Sequence, residues 1–449
     1  MAPPQNGDAW TILVHLSDIH FRSFHDNTYA FQRDLQNELT RDASAFCETH
    51  GAANAILVCG DVAFSGQTAE FEDAAKWLAH LAETTGTRPD RVFTIPGNHD
   101  VVRSIIETSQ LLKMIHKDLR PVDPDAVNER LDKYLTKDRE AAELLLRPLA
   151  NYNAFAARFE CDLSPAKHFW EHNLMLNDGS ILRLRGINSS IASDEGDDDG
   201  ANRLCVGSEQ FTLERVDGVE YLTLCHHPPP WLRDQDALED QLNNRARVQL
   251  FGHKHRQRAT RINDSIRLTA GAVGPPPREP RWQPCYNFLL IKVEQRAKRT
   301  MLVQVHQRVW NEQTASFVSS AGEVPFQEYD LCLPAFVAIK GSGAGTVEPA
   351  ELDLAAAPTS SPPVARDHGE VMDARRLLTY RFLTLPYAVR FEIAQSLNLL
   401  DEQDRGLSET ETYRLWFKRA ADGNQLPALW DAVDQKYGQD RTPNPFRKE

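Results

Sequence analysis

At 449 residues the chain is longer than one ordinary compact domain and predicts two or three units. Hydrophobic residues at 41% and charged residues at 25% are ordinary globular proportions, which excludes a collagen-like, wholly disordered or repeat-dominated chain. The sum of 50 Lys plus Arg against 64 Asp plus Glu leaves a formal net charge of -14, a field that repels polyanions at long range yet still permits a local cationic site acting on phosphate.

The first ten residues are Pro-rich and polar, without a basic cluster or an apolar core, so no secretory signal is expected there. No apolar run approaches the roughly 18 residues that a bilayer span needs. Seven cysteines (47, 59, 161, 205, 225, 285 and 332) show no CxxC pair and an odd total, which fits a reducing, cytoplasmic setting.

From residue 11 to about 334, short β-branched runs alternate with amphipathic stretches, as strands alternate with helices. Apolar positions at helical spacing predict crossover helices over 28–49 and 70–83. Residues 104–172 are mostly helix-forming and read as a helical insertion. Strand pairs are expected over 266–270, 286–293 and 301–310. The acidic run at Asp194, Glu195, Asp197, Asp198 and Asp199 fails the EF-hand spacing, because Val206 stands where the bidentate Glu should be, and is read as a solvated loop.

Between 341 and 365, 18 of 25 residues are Gly, Ser, Ala, Thr or Pro, a linker composition that separates a small C-terminal unit from the rest. That unit carries 12 basic and 12 acidic side chains over 371–449, so the excess negative charge lies ahead of it. It reads as a bundle with helices over 373–383 and 387–400, a third opened by the capping box Ser408-x-x-Glu411, and a fourth over 426–437. Trp416, Phe417 and Trp430, with Leu397, Leu400 and Leu415, supply a core for it.

Five strand-like runs end in a hard or imidazole ligand. TILVHLS leads to Asp18 and His20, AILVCG to Asp61, and VFTIPG to Asn98, His99 and Asp100. YLTLC leads to His226 and His227, and VQLFG to His253 and His255. Ligands in α/β folds gather beyond the carboxyl ends of strands, so each run delivers its polar residue to one rim. A single His after a strand is more often a core histidine, and a single Gly-Asp a turn, but five in this order form a ligand set. Asp, Asn and His without thiolate suit a borderline divalent ion such as Mn, Fe, Zn, Ni or Co and argue against a structural zinc.

In the order D-x-H, GD, GNHD, H and GHxH, these motifs resemble the calcineurin-like metallophosphoesterase family over roughly 11–310. Gly186-Ile-Asn-Ser-Ser190 and His226-His-Pro-Pro229 are similar to its class III cyclic-nucleotide phosphodiesterase branch. The resemblance implies a four-layer α/β/β/α sandwich, here over 8–335 with the insertion at 104–172, then a linker over 336–370 and an all-α domain over 371–440. It implies two divalent metals, the first held by Asp18, His20, Asp61 and His255, the second by Asp61, Asn98, His226 and His253, with Asp61 bridging. His226 is preferred to His227 because the family spacing is His-x-Pro. It further implies attack on phosphorus by a hydroxide between the metals, His99 stabilising the transition state or protonating the leaving oxygen, and Asp100 fixing the His99 tautomer. Arg103, Lys113, Lys117 and Arg120 would reach a phosphate from the insertion or form a solvated face.

The C-terminal bundle resembles the effector-associated, death-like adaptor modules of bacterial conflict and signalling proteins, which implies a protein partner. The expected function is therefore a metal-dependent phosphodiesterase with manganese among the candidate ions, a phosphoester substrate, nucleic acid only as a possible substrate, and no membrane. A metal-dependent nuclease and a catalytically silent binding scaffold are the alternatives. The two parts are expected to fold without leaning on each other.

Overall fold

The computed structural model describes residues 9–22, 29–194, 203–275, 283–320, 325–336, 366–404, 406–437 and 443–447. β1 (Thr11–Leu16), β2 (Ala55–Cys59) and β3 (Val92–Ile95) are runs of β-branched and aliphatic residues buried on both faces, as parallel strands covered on two sides must be. α1 (Tyr29–His50) and α2 (Thr68–Thr84) are the crossovers between them. The second group comprises β4 (Phe169–Met175), β5 (Ile181–Ile187), β6 (Val219–Cys225), β7 (Ala246–Phe251), β8 (Arg258–Ile262) and β9 (Ser265–Thr269). β10 (Cys285–Gln295), β11 (Arg299–Asn311), β12 (Ser316–Ser319) and β13 (Gln327–Cys332) follow.

One sheet has the order β12-β11-β10-β1-β2-β3, with β13 also on β11, and the other the order β4-β5-β6-β7-β9-β8. Both are mixed sheets, and they pack through a shared core that includes Leu13, Leu57, Phe93, Leu184, Leu222 and Leu250. With helices outside, this is the expected four-layer α/β/β/α arrangement.

The insertion is shorter than expected. Its helices α3 (Arg103–Thr108), α4 (Gln110–Leu119), α5 (Val127–Leu135), α6 (Arg139–Leu146) and α7 (Ala150–Ala156) give way to a short helical turn ending at Phe159. Residues 169–172 already belong to β4. Only Trp170 and Leu174 of that strand are buried, so its period of two rests on two residues and is faint in the sequence. Two short helices, α8 (Ser208–Phe211) and α9 (Gln235–Arg245), flank β6. Residues 195–202 and 337–365, which contain most of the acidic run and of the expected linker, lie outside the described residues.

The C-terminal unit is the predicted bundle: α10 (Arg366–Thr384), α11 (Tyr387–Ser396), α12 (Glu409–Asp422) and α13 (Leu426–Tyr437). Ser408 caps α12, accepting from the Glu411 N–H, while the Glu411 carboxylate returns to the Ser408 N–H. Trp416, Phe417 and Trp430 lie in its core.

This bundle does not stand apart from the sandwich. β3 and β4 are edge strands of their sheets, and an uncovered edge leaves unpaired backbone groups. Carbonyls of alternate residues point the same way, and those of Asp90, Val92 and Thr94 are all capped by side chains. Arg376 of α10 donates to Asp90 O (2.8 Å) and Val92 O (3.2 Å), and Trp170 Nε1 donates to Thr94 O (2.9 Å). Arg376 is buried, lies 4.4 Å from the Phe93 ring centroid and places Nη1 2.8 Å from the His172 ring. Asp373 takes bonds from Arg88 (3.2 Å) and Arg91 (2.5 Å), Arg414 pairs with Asp162, and Tyr380 is buried in the main core beside Phe159. The bundle keeps its own core, as expected, but the two parts also meet, because an edge carbonyl row needs donors and α10 supplies them.

Arg376→Ala should therefore cost roughly 1–3 kcal/mol for each edge carbonyl left without a donor, read as a lowered melting temperature. Burial, then the Arg376 and Lys167 charges, hold His172 well below its ordinary pKa of 6.5. Undocked, the ring would take a proton that the docked ring refuses, so docking is at full strength above about pH 6.5 and weakens as pH falls below it. Limited proteolysis between pH 8 and 5 checks the sign: release of the bundle should increase on acidification, and His172→Phe should flatten the trend.

Candidate metal centre

The carboxyl ends of β1, β2 and β3 face those of β6 and β7 across the seam between the two sheets. The first motif is cross-tied to the second, with Asp18 N–H donating to Gly60 O (3.0 Å) and His20 N–H to Asp61 O (3.0 Å). The opposite sheet closes on them through His226, whose Nδ1 lies 2.7 Å from Cys59 O. Asp18, His20, Asp61, Asn98 and His226 are buried, while His99, His253 and His255 are half-buried and mark the open side.

Asp61 is the hub. Its Oδ1 accepts the His99 N–H (2.8 Å), and its Oδ2 lies 3.4 Å from His20 Nε2 and 3.2 Å from His226 Nε2. Asn98 Oδ1 is 3.1 Å from both His226 Nε2 and His253 Nδ1. Asp18 places Oδ1 3.2 Å from His255 Nε2, and its Oδ2 accepts from the Ser17 hydroxyl (2.5 Å) and the His253 N–H (3.2 Å). Potential ligand atoms lie within 4.8 Å of one another in the groups Asp18/His20/His255, Asp18/Asp61/His226, His20/Asp61/His99 and His226/His227/His253.

The ring tautomers test whether cations fit. His226 Nδ1 faces Cys59 O and His20 Nδ1 faces Gly274 O (3.1 Å), so each Nδ1 carries the proton of a neutral ring. Each Nε2 then aims a lone pair at the same buried carboxylate, a repulsive arrangement unless a proton or a metal lies between. Burial opposes charge on both aspartates, yet the nearby histidines outweigh it: His255 foremost for Asp18, His226 and His99 for Asp61. Both carboxyls are held below the ordinary range. For His226, burial is outweighed by Asp61, which pushes the ring up to about 9. The donor set therefore fits divalent cations, with a proton as the substitute in their absence.

Backbone conformation points the same way. Asp18, His20, Asp61, His253 and His255 all have φ between 48° and 67°, the left-handed region that costs a non-glycine residue about 1 kcal/mol or more. Gly60 at φ 81° precedes Asp61, and a Cβ there would meet His226 Nδ1 at 2.5 Å. A Cβ on Gly97 would collide with Asp61 Oδ1, so this glycine serves close approach.

His99 lies 4.8 Å from His20, ring to ring, and stacks on Phe64 (5.3 Å). Its orientation departs from expectation: Nδ1 is 2.8 Å from Phe64 O, and Asp100 is engaged elsewhere. Asp100 accepts the Ala63 N–H and the Gly97 N–H, both at 2.8 Å, and so ties the second motif's loop to the third's. A backbone carbonyl leaves no mark in a sequence, which is why Phe64 was not foreseen. Burial, partly offset by Asp61, lowers the His99 pKa, with the His20 and Arg103 charges adding to the fall.

His227, set aside in favour of His226, also reaches the cluster, its ring 4.7 Å from that of His253 and its Nδ1 2.9 Å from Ser189 Oγ. The Ser189 and Ser190 hydroxyls have parallel duties, since Ser190 donates to Pro96 O (3.2 Å) ahead of the GNHD loop. Of the insertion's cations, Arg103 sits near His99, Arg120 pairs with Asp194 (2.7 Å), and Lys113 and Lys117 are exposed.

The profile described as calcineurin-like phosphoesterase matches residues 12–257, more than half of the chain, which thus belongs to that family. Residues 374–435 match the GTPase-associated adaptor domain, the identity of the C-terminal bundle. An uncharacterized metallophosphoesterase-like protein of Bacillus subtilis (strain 168), YydB, is 26% identical over 189 residues, 42% of this chain and 35% of that protein, so the match spans about a third of the curated relative. Among solved structures, vacuolar protein sorting 29 of Cryptosporidium parvum is 10% identical, covering 72% of this chain and 99% of its own, with a TM-score of 0.32. Wild-type Vps29 of Entamoeba histolytica complexed with zinc is 11% identical, covering 71% and 99%, with a TM-score of 0.28.

A raised His226 pKa contributes stability that is full below pH 6.5 and lost as pH climbs through about 9. Metal-stripped protein should accordingly lose melting temperature between pH 6.5 and 9. Protein loaded with manganese, where a cation held by His226 would take that proton's place, should not. Gly97→Ala should lower bound metal by displacing Asp61, measured by elemental analysis of the folded variant.

Proposed function

We propose that the chain is a dinuclear-metal phosphodiesterase, with Asp18, His20, Asp61 and His255 at one metal and Asp61, Asn98, His226 and His253 at the other. The observation that carries this reading is the convergence of two histidine Nε2 lone pairs on the single buried carboxylate of Asp61. When bound, two divalent ions supply positive charge for the phosphoryl oxygens and acidity for a water nucleophile. The ligand types fit Mn, Fe, Zn, Ni or Co, and manganese is the ion to try first.

The remaining roles belong to the chain itself. His99, with Nδ1 committed to Phe64 O, has Nε2 free to exchange a proton with the leaving oxygen. Asp100 positions His99 indirectly, by holding the two loops that flank it. Arg103 adds positive charge beside His99. The adaptor domain supports a protein partner, and its α11 leaves Tyr387 and Phe391 exposed. No helix among the described residues is long and apolar enough to cross a membrane. All seven cysteines are free and six are buried, which supports a cytoplasmic setting.

Asp61→Asn should lose both metals and the hydrolysis of bis-p-nitrophenyl phosphate. Retention of two tightly bound ions with normal turnover would refute the bridging role. His99→Ala should keep its metals but slow turnover by about 10²- to 10⁴-fold, and the deficit should shrink for leaving groups of low pKa. Equal slowing across leaving groups would assign His99 an electrostatic role.

A further inference from the structure

The loop that carries the last two ligands also carries a row of cations. Along residues 253–258, exposure alternates: His253, His255 and Gln257 are half-buried, whereas Lys254, Arg256 and Arg258 are exposed. Gln257 turns inward, donating to Tyr286 O (3.1 Å) and Asn287 Oδ1 (2.5 Å). Among the described residues none of the three cations has a carboxylate partner. In a chain of net charge -14, three neighbouring uncompensated cations form a local reversal of sign.

Lys254, at the near end of the row, adjoins the metal cluster. Trp231, placed by the short helix Pro229–Trp231 that follows the His226-His-Pro-Pro segment, sets its ring centroid 5.1 Å from that of His253. Lys254 Nζ lies 4.7 Å from the Trp231 centroid, and the buried indole Nε1 has no hydrogen-bond acceptor among the described residues. Charge placed to protect an edge strand would account for Arg258, which opens the edge strand β8, but Lys254 and Arg256 precede that strand.

We infer that Lys254, which packs over the Trp231 ring, forms with Arg256 and Arg258 an accessory phosphate subsite on the open side of the metal centre. The substrate is then a phosphoester bearing at least one further phosphate, as in an oligonucleotide or a nucleotide with a phosphate chain. This rests on the proposed phosphodiesterase reading for its turnover, though not for its binding. An exposed cation row attracts phosphate with a strong dependence on salt, about 0.7 in logarithmic slope for each contact to a single strand.

The test compares full-length wild type with the triple variant K254Q/R256Q/R258Q, both manganese-loaded and matched in melting temperature. The substrates are bis-p-nitrophenyl phosphate, a 12-residue oligothymidylate and adenosine triphosphate. Replacing the cations should cut the ratio of kcat/KM for a multiply charged substrate to that for bis-p-nitrophenyl phosphate at least tenfold, chiefly through KM, and flatten its salt dependence. Whichever of the oligonucleotide and the triphosphate shows that loss is the source of the second phosphate. A proportional change on all three substrates would overturn the subsite. Anisotropy of the fluorescein-labelled oligothymidylate and of a labelled adenosine triphosphate is the readout besides turnover. If no variant hydrolyses bis-p-nitrophenyl phosphate, the phosphodiesterase reading fails, and weaker binding of either probe by the triple variant still sustains the subsite. Unchanged binding of both probes overturns it.

Discussion

A carboxylate buried between two histidine lone pairs is stable only with positive charge in its midst, and Asp61 is in that position. The three strands that bring Asp61, His20 and His226 together come from both sheets, so the seam of the sandwich and the centre of the ligand set coincide. Asp18, His20, Asp61, His253 and His255, five of the candidate ligands, adopt left-handed backbone, each at a cost of about 1 kcal/mol or more, and the loops hold that conformation through cross-bonds such as Asp18 N–H to Gly60 O. Left-handed backbone also occurs at Glu160, Asn263, Ala315, Asn398 and Asn424, but only around Asp61 do five such residues converge on one buried cluster.

Around that hub, polar groups that touch no ligand atom keep the loops in register. Asp100 joins the loops after β2 and β3 by accepting one N–H from each, while the serines after β5 hold His227 and the carbonyl of Pro96. His99 is oriented by a carbonyl, so its tautomer is set by backbone geometry. The charge of Asp61 acts on both His99 and His226 but with different results: burial prevails at His99 and lowers its pKa, whereas direct contact with the carboxylate prevails at His226 and raises it.

The adaptor domain occupies another part of the molecule. α10 meets β3 at Asp90 and Val92, the amino end of the strand, whereas the ligands follow its carboxyl end. The bundle and the candidate ligand cluster thus lie at opposite ends of one strand, β3. The contact combines apolar packing of Tyr380 and Ala157 with ionic and hydrogen-bonded groups at Arg376, Asp373 and Arg414, of which the exposed pairs respond to salt.

The sequence by itself determined the strand order of the motifs, the ligand types and the two-part organisation, because β-branched runs ending in Asp, Asn or His are local patterns with a fixed period. It also determined the capped helix at Ser408, whose box is contained in four residues. Tertiary structure alone decided what lies opposite those residues. That Phe64 O, and not Asp100, orients His99 depends on where a carbonyl points. That β4 starts within the stretch read as helix depends on a burial pattern marked only by Trp170 and Leu174. That Arg376 completes the β3 edge depends on contacts between residues 284 to 286 positions apart, for which composition and periodicity hold no signal.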